Sequence, residues 1–252
     1  MTISVVVVGS RGKMGTLATR IVEAAPDLEL LAGLGSDDPL KRMIGADVVL
    51  DFTVPGASGA IVEYAIEHDI HVLVGTSGWS NERISQLNPL AGEHSEVGIV
   101  FVPNFSIGSV LATSFAATAA RFFDSIEIIE AHAATKLDSP SGTAIRTAEL
   151  IGAARLESGP VIAPHADQRA RGQQVSSVPI HSLRMQGIVA KQDVVFGGQG
   201  EVLTVSHETI SPSSYEKGIL LALRATPGLR GIVVGLDKVI DLQAAQGPTA
   251  ED

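Results

Sequence analysis

Cysteine is absent from the 252 residues, and so are several patterns that mark particular classes of protein. Without thiols the chain can form neither disulfides nor thiolate metal sites and has no cysteine nucleophile, a composition that fits a reducing compartment. The formal net charge is −10, Lys and Arg form no run, and the aromatics number only seven Phe, two Tyr and one Trp. Because nucleic acids and anionic membranes bind a basic face, neither is expected as a partner.

We also expect neither an export segment nor a membrane-spanning segment. Met1–Val8 leads directly into an apolar run without a basic segment, and no later stretch has about 18 uninterrupted apolar residues. We therefore expect a soluble, cytoplasmic protein without a metal site.

Short apolar runs alternate with helix-period segments in the first half of the chain. Ile3–Val8 is a valine-rich run, typical of a strand buried on both faces of a parallel sheet, and apolar residues recur at helical spacing from Met14 to Ala25. Further strands are predicted at Leu28–Ala32, Val48–Phe52, Val72–Val74 and Val97–Val102, with helices at Ile61–Glu67 and Asn81–Leu87. This repeat predicts an α/β fold with an N-terminal doubly wound, Rossmann-type parallel sheet.

The second half predicts a central α+β domain with a mixed, open-faced sheet. Its predicted strands are Ser125–His132, Ile188–Gly197 and Glu201–Glu208, with a helix at Thr143–Arg155 and a long loop at Glu157–Val178. A helix after Ser211-Pro212 is expected to return to the first domain. We predict a dinucleotide-binding domain at 1–106 and 212–242, a substrate and oligomerisation domain at 107–211, and a disordered tail at 243–252.

A glycine loop follows the first predicted strand. Gly9, Gly12 and Gly15 form a G-x-x-G-x-x-G pattern that opens the first helix. Residues without Cβ let backbone amides and a helix N-terminus approach a pyrophosphate, and the last glycine lets helix and strand pack closely. A glycine-rich turn without a ligand has the same local sequence, but the β-α-β context favours nucleotide binding.

The end of the second predicted strand bears on the choice of nucleotide. NAD-binding domains usually place an acid there for the ribose hydroxyls, but this strand ends without an acid before Asp37. Arg11, Lys13 and Ser36 can supply donors to a 2′-phosphate, so NADPH is favoured over NADH. The alternative is that Asp37 or Asp38 reaches back to the ribose.

The segment Glu130–Ala144 carries most of the chemistry. It places His132 at a strand end, Lys136 in a loop, and Ser141-Gly142-Thr143 at the start of a helix. Amides at that helix start, with the Thr143 hydroxyl, can form an anion site, while the lysine adds a cation. The histidine can protonate a carbanion or enamine formed by hydride addition. A helix cap, a solvated lysine and a structural histidine explain each feature singly, but their clustering favours a catalytic site that binds an anion.

These residues give the chain a resemblance to the 4-hydroxy-tetrahydrodipicolinate reductases. Glu130–Ala144 is similar to the family pattern E-x-H-H-x-x-K-x-D-x-P-S-G-T-A, and the agreement in order and spacing extends over nearly the whole chain. The other similar segments are Gly9–Gly15, Asp51–Thr53, Gly75–Gly78, Pro103–Gly108, Pro179–Arg184 and Gly200–Glu201.

The resemblance implies an enzyme of diaminopimelate and lysine biosynthesis that reduces a cyclic imine dicarboxylate to tetrahydrodipicolinate with NADPH or NADH. It implies a homotetramer, with His132 as the acid, Lys136 binding and polarising the substrate, and Gly142 and Thr143 holding a carboxylate beside Ser141. Taken with Ser36 above, the predicted cofactor-binding residues are Gly9, Arg11, Gly12, Lys13, Met14, Ser36, Phe52, Thr53, Gly75, Thr76 and Asn104.

Four positions depart from the family pattern. Ala133 stands where the family has a second histidine, Thr135 where a basic residue is common, and Gly35 where an acid often binds ribose. Losing a hydrogen bond to a charged group costs about 1.5 to 3 kcal/mol, so Ala133 is expected to weaken dicarboxylate binding. Lys191, in place of a histidine, either restores positive charge near the substrate or is a surface substitution.

Two alternative functions remain open. One is a divergent paralogue that reduces another imine or keto acid, and the other is a nucleotide-binding protein whose catalytic site has decayed. The retention of His132, Lys136 and the Pro-Ser-Gly-Thr segment argues against decay.

Overall fold

A computed structural model describes residues 2–240, which divide into two compact units. One consists of the residues up to Phe105 and those from Tyr215 onward, and the other is Ser106–Ser214. The predicted tail at 243–252 lies outside the described residues. Within the described range, no helix combines the length and apolar character needed to cross a membrane.

Eleven strands and seven α-helices are present in residues 2–240. The strands are β1 (Ile3–Val8), β2 (Leu28–Leu34), β3 (Val48–Asp51), β4 (His71–Val74), β5 (Gly98–Phe101), β6 (Ser125–Ala133), β7 (Gln173–Val175), β8 (Val178–Met185), β9 (Ala190–Gly198), β10 (Glu201–Thr209) and β11 (Gly231–Val234). The helices are α1 (Lys13–Ala24), α2 (Pro55–Glu67), α3 (Asn81–Ser85), α4 (Asn88–Glu93), α5 (Ile107–Ala119), α6 (Gly142–Ala154) and α7 (Glu216–Ala225).

The first unit is built on a six-stranded parallel sheet in the order β2-β1-β3-β4-β5-β11. Val5, Val6, Val7 and Val8 are all buried, because helices cover both faces of a doubly wound sheet. The chain places β2 on one side of β1 and β3 on the other, which creates a switch point at the carboxyl ends of β1 and β3. Open α/β sheets bind ligands at such a point.

The second unit contains a five-stranded mixed sheet in the order β10-β9-β6-β8-β7. Only β6 and β8 are parallel neighbours. Helices α5 and α6 pack on one face, over a core that includes Ile126, Ile128, Val194 and Phe196. The predicted fold class, a Rossmann-type parallel sheet followed by a mixed open-faced sheet, is confirmed.

Several elements differ from their predictions. The stretch predicted as a loop at Glu157–Val178 contains β7 and a 3₁₀ turn at Arg169–Arg171, so that prediction is wrong in part. The turn from β7 to β8 places Ser176 and Ser177 at φ of 47° and 68°, a conformation usually marked by Asn or Gly, which are absent here. The helix predicted at Asn81–Leu87 ends earlier, at Ser85, and is α3; a second short helix, α4, follows from Asn88. Elements α4, α5, β8 and β11 were not predicted.

His71, the first residue of β4, determines part of the response of the first unit to acid. Its Nδ1 accepts a hydrogen bond from the Gly98 amide at 2.8 Å. Burial, assisted by nearby Arg230 and opposed by Asp47, lowers the pKa of His71 below its ordinary value of 6.5. Between the two values the unfolded chain binds a proton that the folded chain does not, so stability is lost as the pH falls below 6.5.

We expect the melting temperature to fall between about pH 7 and pH 5.5, and to fall less in His71→Gln, which accepts the same hydrogen bond without titrating. Thermal unfolding followed by circular dichroism across this range measures the slope. His68→Gln is the matched control, since His68 is exposed at the end of α2. Equal slopes for wild type and His71→Gln would contradict the prediction.

Candidate functional site

The glycine loop after β1 is shaped for close approach. Gly9 has a φ of +82°, and a Cβ there would lie 2.3 Å from the Phe52 carbonyl oxygen. A Cβ on Gly15 would lie 2.0 Å from the Gly9 oxygen, and one on Gly75 would lie 2.1 Å from the Phe52 ring. Only glycine fits these three positions, because the ends of β1, β3 and β4 approach one another closely there.

The N-terminus of α1 completes this loop. Gly12 is the N-cap and makes no side-chain capping bond, and Lys13 and Met14 are the first two helical residues. The first-turn amides of a helix are a ready site for an anion. The glycine cradle and this helix start therefore fit the pyrophosphate of a dinucleotide.

Asp51, a fully buried acid, ties the ends of β3 and β4 together. Its carboxylate accepts hydrogen bonds from the Thr53 amide at 2.9 Å, from the Thr53 hydroxyl and from the Ser58 hydroxyl. The Thr53 amide also donates to the Thr76 hydroxyl at 2.8 Å. The structure thus brings the predicted residues Thr53 and Thr76 together, beside Phe52 and Gly75. Asn104 lies half-buried beyond the end of β5.

The Arg11 side chain lies beside Gly35, the position at which related sequences often have a ribose-binding acid. A Cβ on Gly35 would lie 2.9 Å from the Arg11 guanidinium carbon. Asp38 turns back toward the strand, accepts the Gly35 amide at 2.9 Å and pairs with Arg42. The Gly35 hydrogen bond, aided by Arg42 and Arg11 and opposed by burial, lowers the pKa of Asp38. Ser36 is exposed at the same edge.

In the second unit, His132 lies near the end of β6 with Glu130 two residues before it. Alternation along a strand places both side chains on the same face of the sheet. His132 Nδ1 is 2.6 Å from Glu130 Oε2, and Glu130 is fully buried. A carboxylate can only accept at neutral pH, so this contact fixes the orientation of the imidazole ring.

Arg184, from the neighbouring strand β8, completes a buried cluster around Glu130. Its two terminal nitrogens donate to the two carboxylate oxygens at 2.9 Å each, and the Ser141 amide donates to Oε1 at 3.2 Å. Burial acts to raise the pKa of Glu130, but hydrogen bonds from Arg184, Ser182 and His132 outweigh it and lower the pKa. Glu130 is therefore a carboxylate near neutral pH.

Lys136 and the start of α6 lie in the segment that follows β6. Lys136 Nζ donates to Asp138 Oδ1 at 2.7 Å, and Arg184 also donates to the Asp138 carbonyl oxygen at 2.6 Å. Ser141 is the N-cap of α6, and its hydroxyl accepts from the Ala144 amide. Gly142 is exposed, and a Cβ there would meet nothing within 4 Å.

The predicted substrate-binding residues at the start of α6 differ in their accessibility. Ser141 is buried, and both its amide and its hydroxyl are engaged within the protein, which does not support a direct role in holding substrate. Gly142 and Thr143 follow it in the accessible first turn of α6. A positive helix end, the Lys136 ammonium and a titratable imidazole can together bind an anion and transfer a proton.

Comparison with known protein families decides the assignment. A family model described as the N-terminus of dihydrodipicolinate reductase matches residues 3–105, and one described as its C-terminus matches residues 108–240. The chain belongs to the dihydrodipicolinate reductase family. Membership in this family confirms the prediction of the family, of an oxidoreductase and of a nicotinamide cofactor.

Individual relatives agree with this membership. A 4-hydroxy-tetrahydrodipicolinate reductase of Clavibacter michiganensis subsp. michiganensis is 62% identical over 100% of this chain and 91% of the relative. One from Streptomyces griseus is 44% identical over 94% of this chain and 98% of the relative. A dipicolinate-bound dihydrodipicolinate reductase structure from Paenisporosarcina sp. TG-14 superposes with a TM-score of 0.80 at 30% identity, covering 95% of this chain and 100% of that one.

Two departures from the reductase family pattern can now be placed. Lys191 pairs in register with Ala131, so it projects from the sheet face opposite to His132, where its Nζ lies 3.1 Å from Asp193. The hypothesis of a surface substitution is favoured over that of a replacement charge beside His132. Ala133 is the last residue of β6, and its carbonyl oxygen accepts the Lys136 amide at 3.0 Å.

Sequence reasoning assigned no role to three groups of this reductase, two of them fully buried. Glu130 and Asp51 both occur in segments that resemble the family, and Arg184 ends another. The spacing of Glu130 and His132 alone would have placed the two on one strand face. Arg184, 54 residues from Glu130, could be found only from the pairing of β6 with β8.

Proposed function

We propose that this protein reduces the cyclic imine dicarboxylate derived from 4-hydroxy-tetrahydrodipicolinate to tetrahydrodipicolinate, with NADPH favoured over NADH. The observation that carries the proposal is the cluster on the second unit, in which His132, Lys136 and the N-terminus of α6 follow one another from the end of β6. This cluster supplies a proton donor and an anion site for a dicarboxylate, and the relatives' shared name specifies the substrate.

In the proposed reaction Lys136, the start of α6 and His132 have separate roles. The bound nicotinamide supplies a hydride to the substrate ring. Lys136 and the first-turn amides and hydroxyl of Gly142 and Thr143 hold the carboxylates and favour the electron-poor ring for attack. His132 releases the proton on Nε2 to the ring carbon of the resulting enamine, so an N–H bond breaks as a C–H bond forms.

The first unit would hold the cofactor. Gly9, Gly12 and the amides of Lys13 and Met14 would bind the pyrophosphate. The rest of the cofactor would lie against the residues that follow β3, β4 and β5, which are Phe52, Thr53, Gly75, Thr76 and Asn104. We propose residues 1–106 and 212–242 as the cofactor domain and 107–211 as the substrate domain.

An assembly of four copies and a cytoplasmic location are part of the same proposal. The open face of the mixed sheet leaves apolar side chains exposed at Ile129, Leu183, Met185 and Val202, with exposed fractions of 39%, 39%, 49% and 71%. Such a surface supports association of copies through this face. Light scattering of the purified protein measures the number of copies.

The decisive experiment follows oxidation of NADPH and of NADH with freshly generated hydroxytetrahydrodipicolinate. We expect turnover with both and a higher kcat/KM with NADPH. Absence of turnover with either, from folded protein that still binds nucleotide, would contradict the proposed function. Turnover with a different imine or keto acid alone would favour the divergent paralogue.

The cofactor preference predicts the effect of Arg11→Ala. Arg11 is largely exposed, and Arg42 stands at the same edge of the sheet, so two guanidinium groups are available to a 2′-phosphate. We expect the Kd for NADPH to rise about ten- to a hundredfold, the cost of a charged hydrogen bond, and the Kd for NADH to change little. Arg20→Ala, which removes an exposed cation of α1 paired with Glu216, is the control. Equal weakening of both nucleotides would contradict the assignment.

Gly142→Ala tests the anion site without disturbing the fold. An added Cβ meets no protein atom within 4 Å, and alanine is favourable in a helix, so the melting temperature should be unchanged or slightly higher. The methyl group would occupy space required by the substrate carboxylate, so we expect KM for the dicarboxylate to rise about tenfold or more. Gly92→Ala, equally unobstructed in α4, should leave KM unchanged. An unchanged KM in Gly142→Ala would remove this residue from the substrate site.

A further inference from the structure

We propose that Glu130 is a positioning residue that fixes one tautomer of His132, so that Nε2 is the ring atom that exchanges a proton with the substrate. The inference rests on the proposed function for its kinetic consequence. The tautomer itself can be tested without substrate. Its basis is the cluster formed by Glu130, His132, Arg184 and the Ser141 amide.

One hydrogen bond joins His132 Nδ1 to Glu130 Oε2. The Nδ1 to Oε2 distance is 2.6 Å, and Glu130 is ionised because its pKa is lowered. An ionised carboxylate has no hydrogen to donate, so Nδ1 must carry the proton in the neutral ring as well as in the cation. Nε2 is then protonated only in the cation, and it is the only ring nitrogen that releases a proton at this site.

Arg184 compensates the charge of the Glu130 carboxylate. A carboxylate alone in a buried site would hold the imidazolium strongly and oppose loss of its proton. Arg184 donates two hydrogen bonds to the same carboxylate and supplies a compensating positive charge. Glu130 can therefore orient His132 while the ring still releases the Nε2 proton after hydride addition.

Glu130 also connects His132 to the start of α6. Glu130 Oε1 accepts the Ser141 amide, and Ser141 is the residue that caps α6. Arg184 also holds the carbonyl of Asp138, the residue paired with Lys136. The Glu130 carboxylate thus holds His132 and the start of α6 in fixed positions relative to each other. Proton transfer to a bound substrate requires such precise placement.

The same strand contains a matched control. Glu127 lies three residues before Glu130 on the opposite face of the sheet, and it too is bonded to an arginine, Arg171, and to a histidine, His181, at 2.7 Å. Burial acts to raise the pKa of Glu127, but hydrogen bonds from Arg171 and His181 outweigh it and lower the pKa. Glu127 is less buried than Glu130 but has the same kinds of partner, so Glu127→Gln removes such a carboxylate without touching His132.

The experiment compares wild type, Glu130→Gln and Glu127→Gln by ¹H–¹⁵N correlation spectra of the histidine rings, with His132 assigned from the spectrum of His132→Gln. We expect the neutral His132 ring to carry its proton on Nδ1 in wild type and in Glu127→Gln. In Glu130→Gln the Nε2-protonated tautomer should appear, because a neutral amide can also donate. In the same variant kcat should fall about ten- to a hundredfold, the cost of a charge-assisted hydrogen bond, with KM for the cofactor unchanged.

Each result decides the proposal. An Nε2-protonated neutral ring in wild type, or a folded Glu130→Gln with unchanged tautomer and kcat, overturns it. If Glu130→Gln does not fold, the wild-type spectrum and Glu130→Asp decide, since the shorter acid should retain the tautomer and an intermediate kcat. If wild type shows no turnover but has the expected tautomers, the proposed function fails and the positioning by Glu130 stands.

Discussion

Replacing His132 with glutamine should lower kcat by about two to four orders of magnitude, the range that a positioned general acid contributes. Glutamine preserves a polar side chain of similar reach but cannot supply a titrating proton. The glycine loop and the buried Asp51 cluster do not involve His132, so the Kd of the cofactor should be unchanged. Steady-state kinetics with a fluorescence titration of the nucleotide separates the two effects.

His181→Gln is the control for this substitution. His181 is also bonded to a glutamate of β6 and belongs to the same sheet, but it lies on the face away from His132. We expect its kcat to remain within a few-fold of wild type when the oligomeric state is unchanged. Comparable losses in the two variants would indicate that sheet integrity, not proton donation, limits the reaction.

The parts of the fold that were predicted are those where local pattern and burial agree. The valines of β1 had to be buried on both faces, and the glycines that follow had to form a close turn into α1. The helix at α6 was marked by its Ser-Gly-Thr start. In each case a few adjacent residues contain the physical reason for the element.

The elements that were not predicted depend on distant partners or unusual turns. Strand β11 is four partly exposed residues that form a strand because they pair with β5, far earlier in the chain. The turn before β8 has two serines with positive φ, a backbone conformation that no local residue preference announces. Short edge strands gain stability from pairing, and their own composition is a weak guide.

The candidate site shows the same division. His132, Lys136 and the α6 start are close in sequence, so the order of residues along the chain is enough to predict that they cluster. The carboxylate that orients His132 follows only from strand alternation, and its arginine partner lies 54 residues away. Similarly, only the register of β6 with β9 shows that Lys191 lies on the sheet face opposite to His132.

Lys136→Met and Asp138→Asn should change substrate binding in opposite directions. Lys136 Nζ is 2.7 Å from Asp138 Oδ1, and this hydrogen bond, opposed by burial, lowers the pKa of Asp138. A substrate carboxylate must therefore compete with Asp138 for the ammonium group. Removing the ammonium should lower kcat/KM by about ten- to a hundredfold or more, with losses in both kcat and substrate affinity.

Asp138→Asn removes the competing charge and retains the shape of the side chain, so KM for the dicarboxylate should fall. A purely structural ion pair predicts parallel effects instead, because either substitution would then break the same contact and lower the stability without changing KM. Melting temperatures and steady-state kinetics of both variants distinguish the two cases. Opposite changes in KM place the Lys136 ammonium on the substrate, whereas parallel losses of stability with unchanged KM would confine it to holding the loop between β6 and α6.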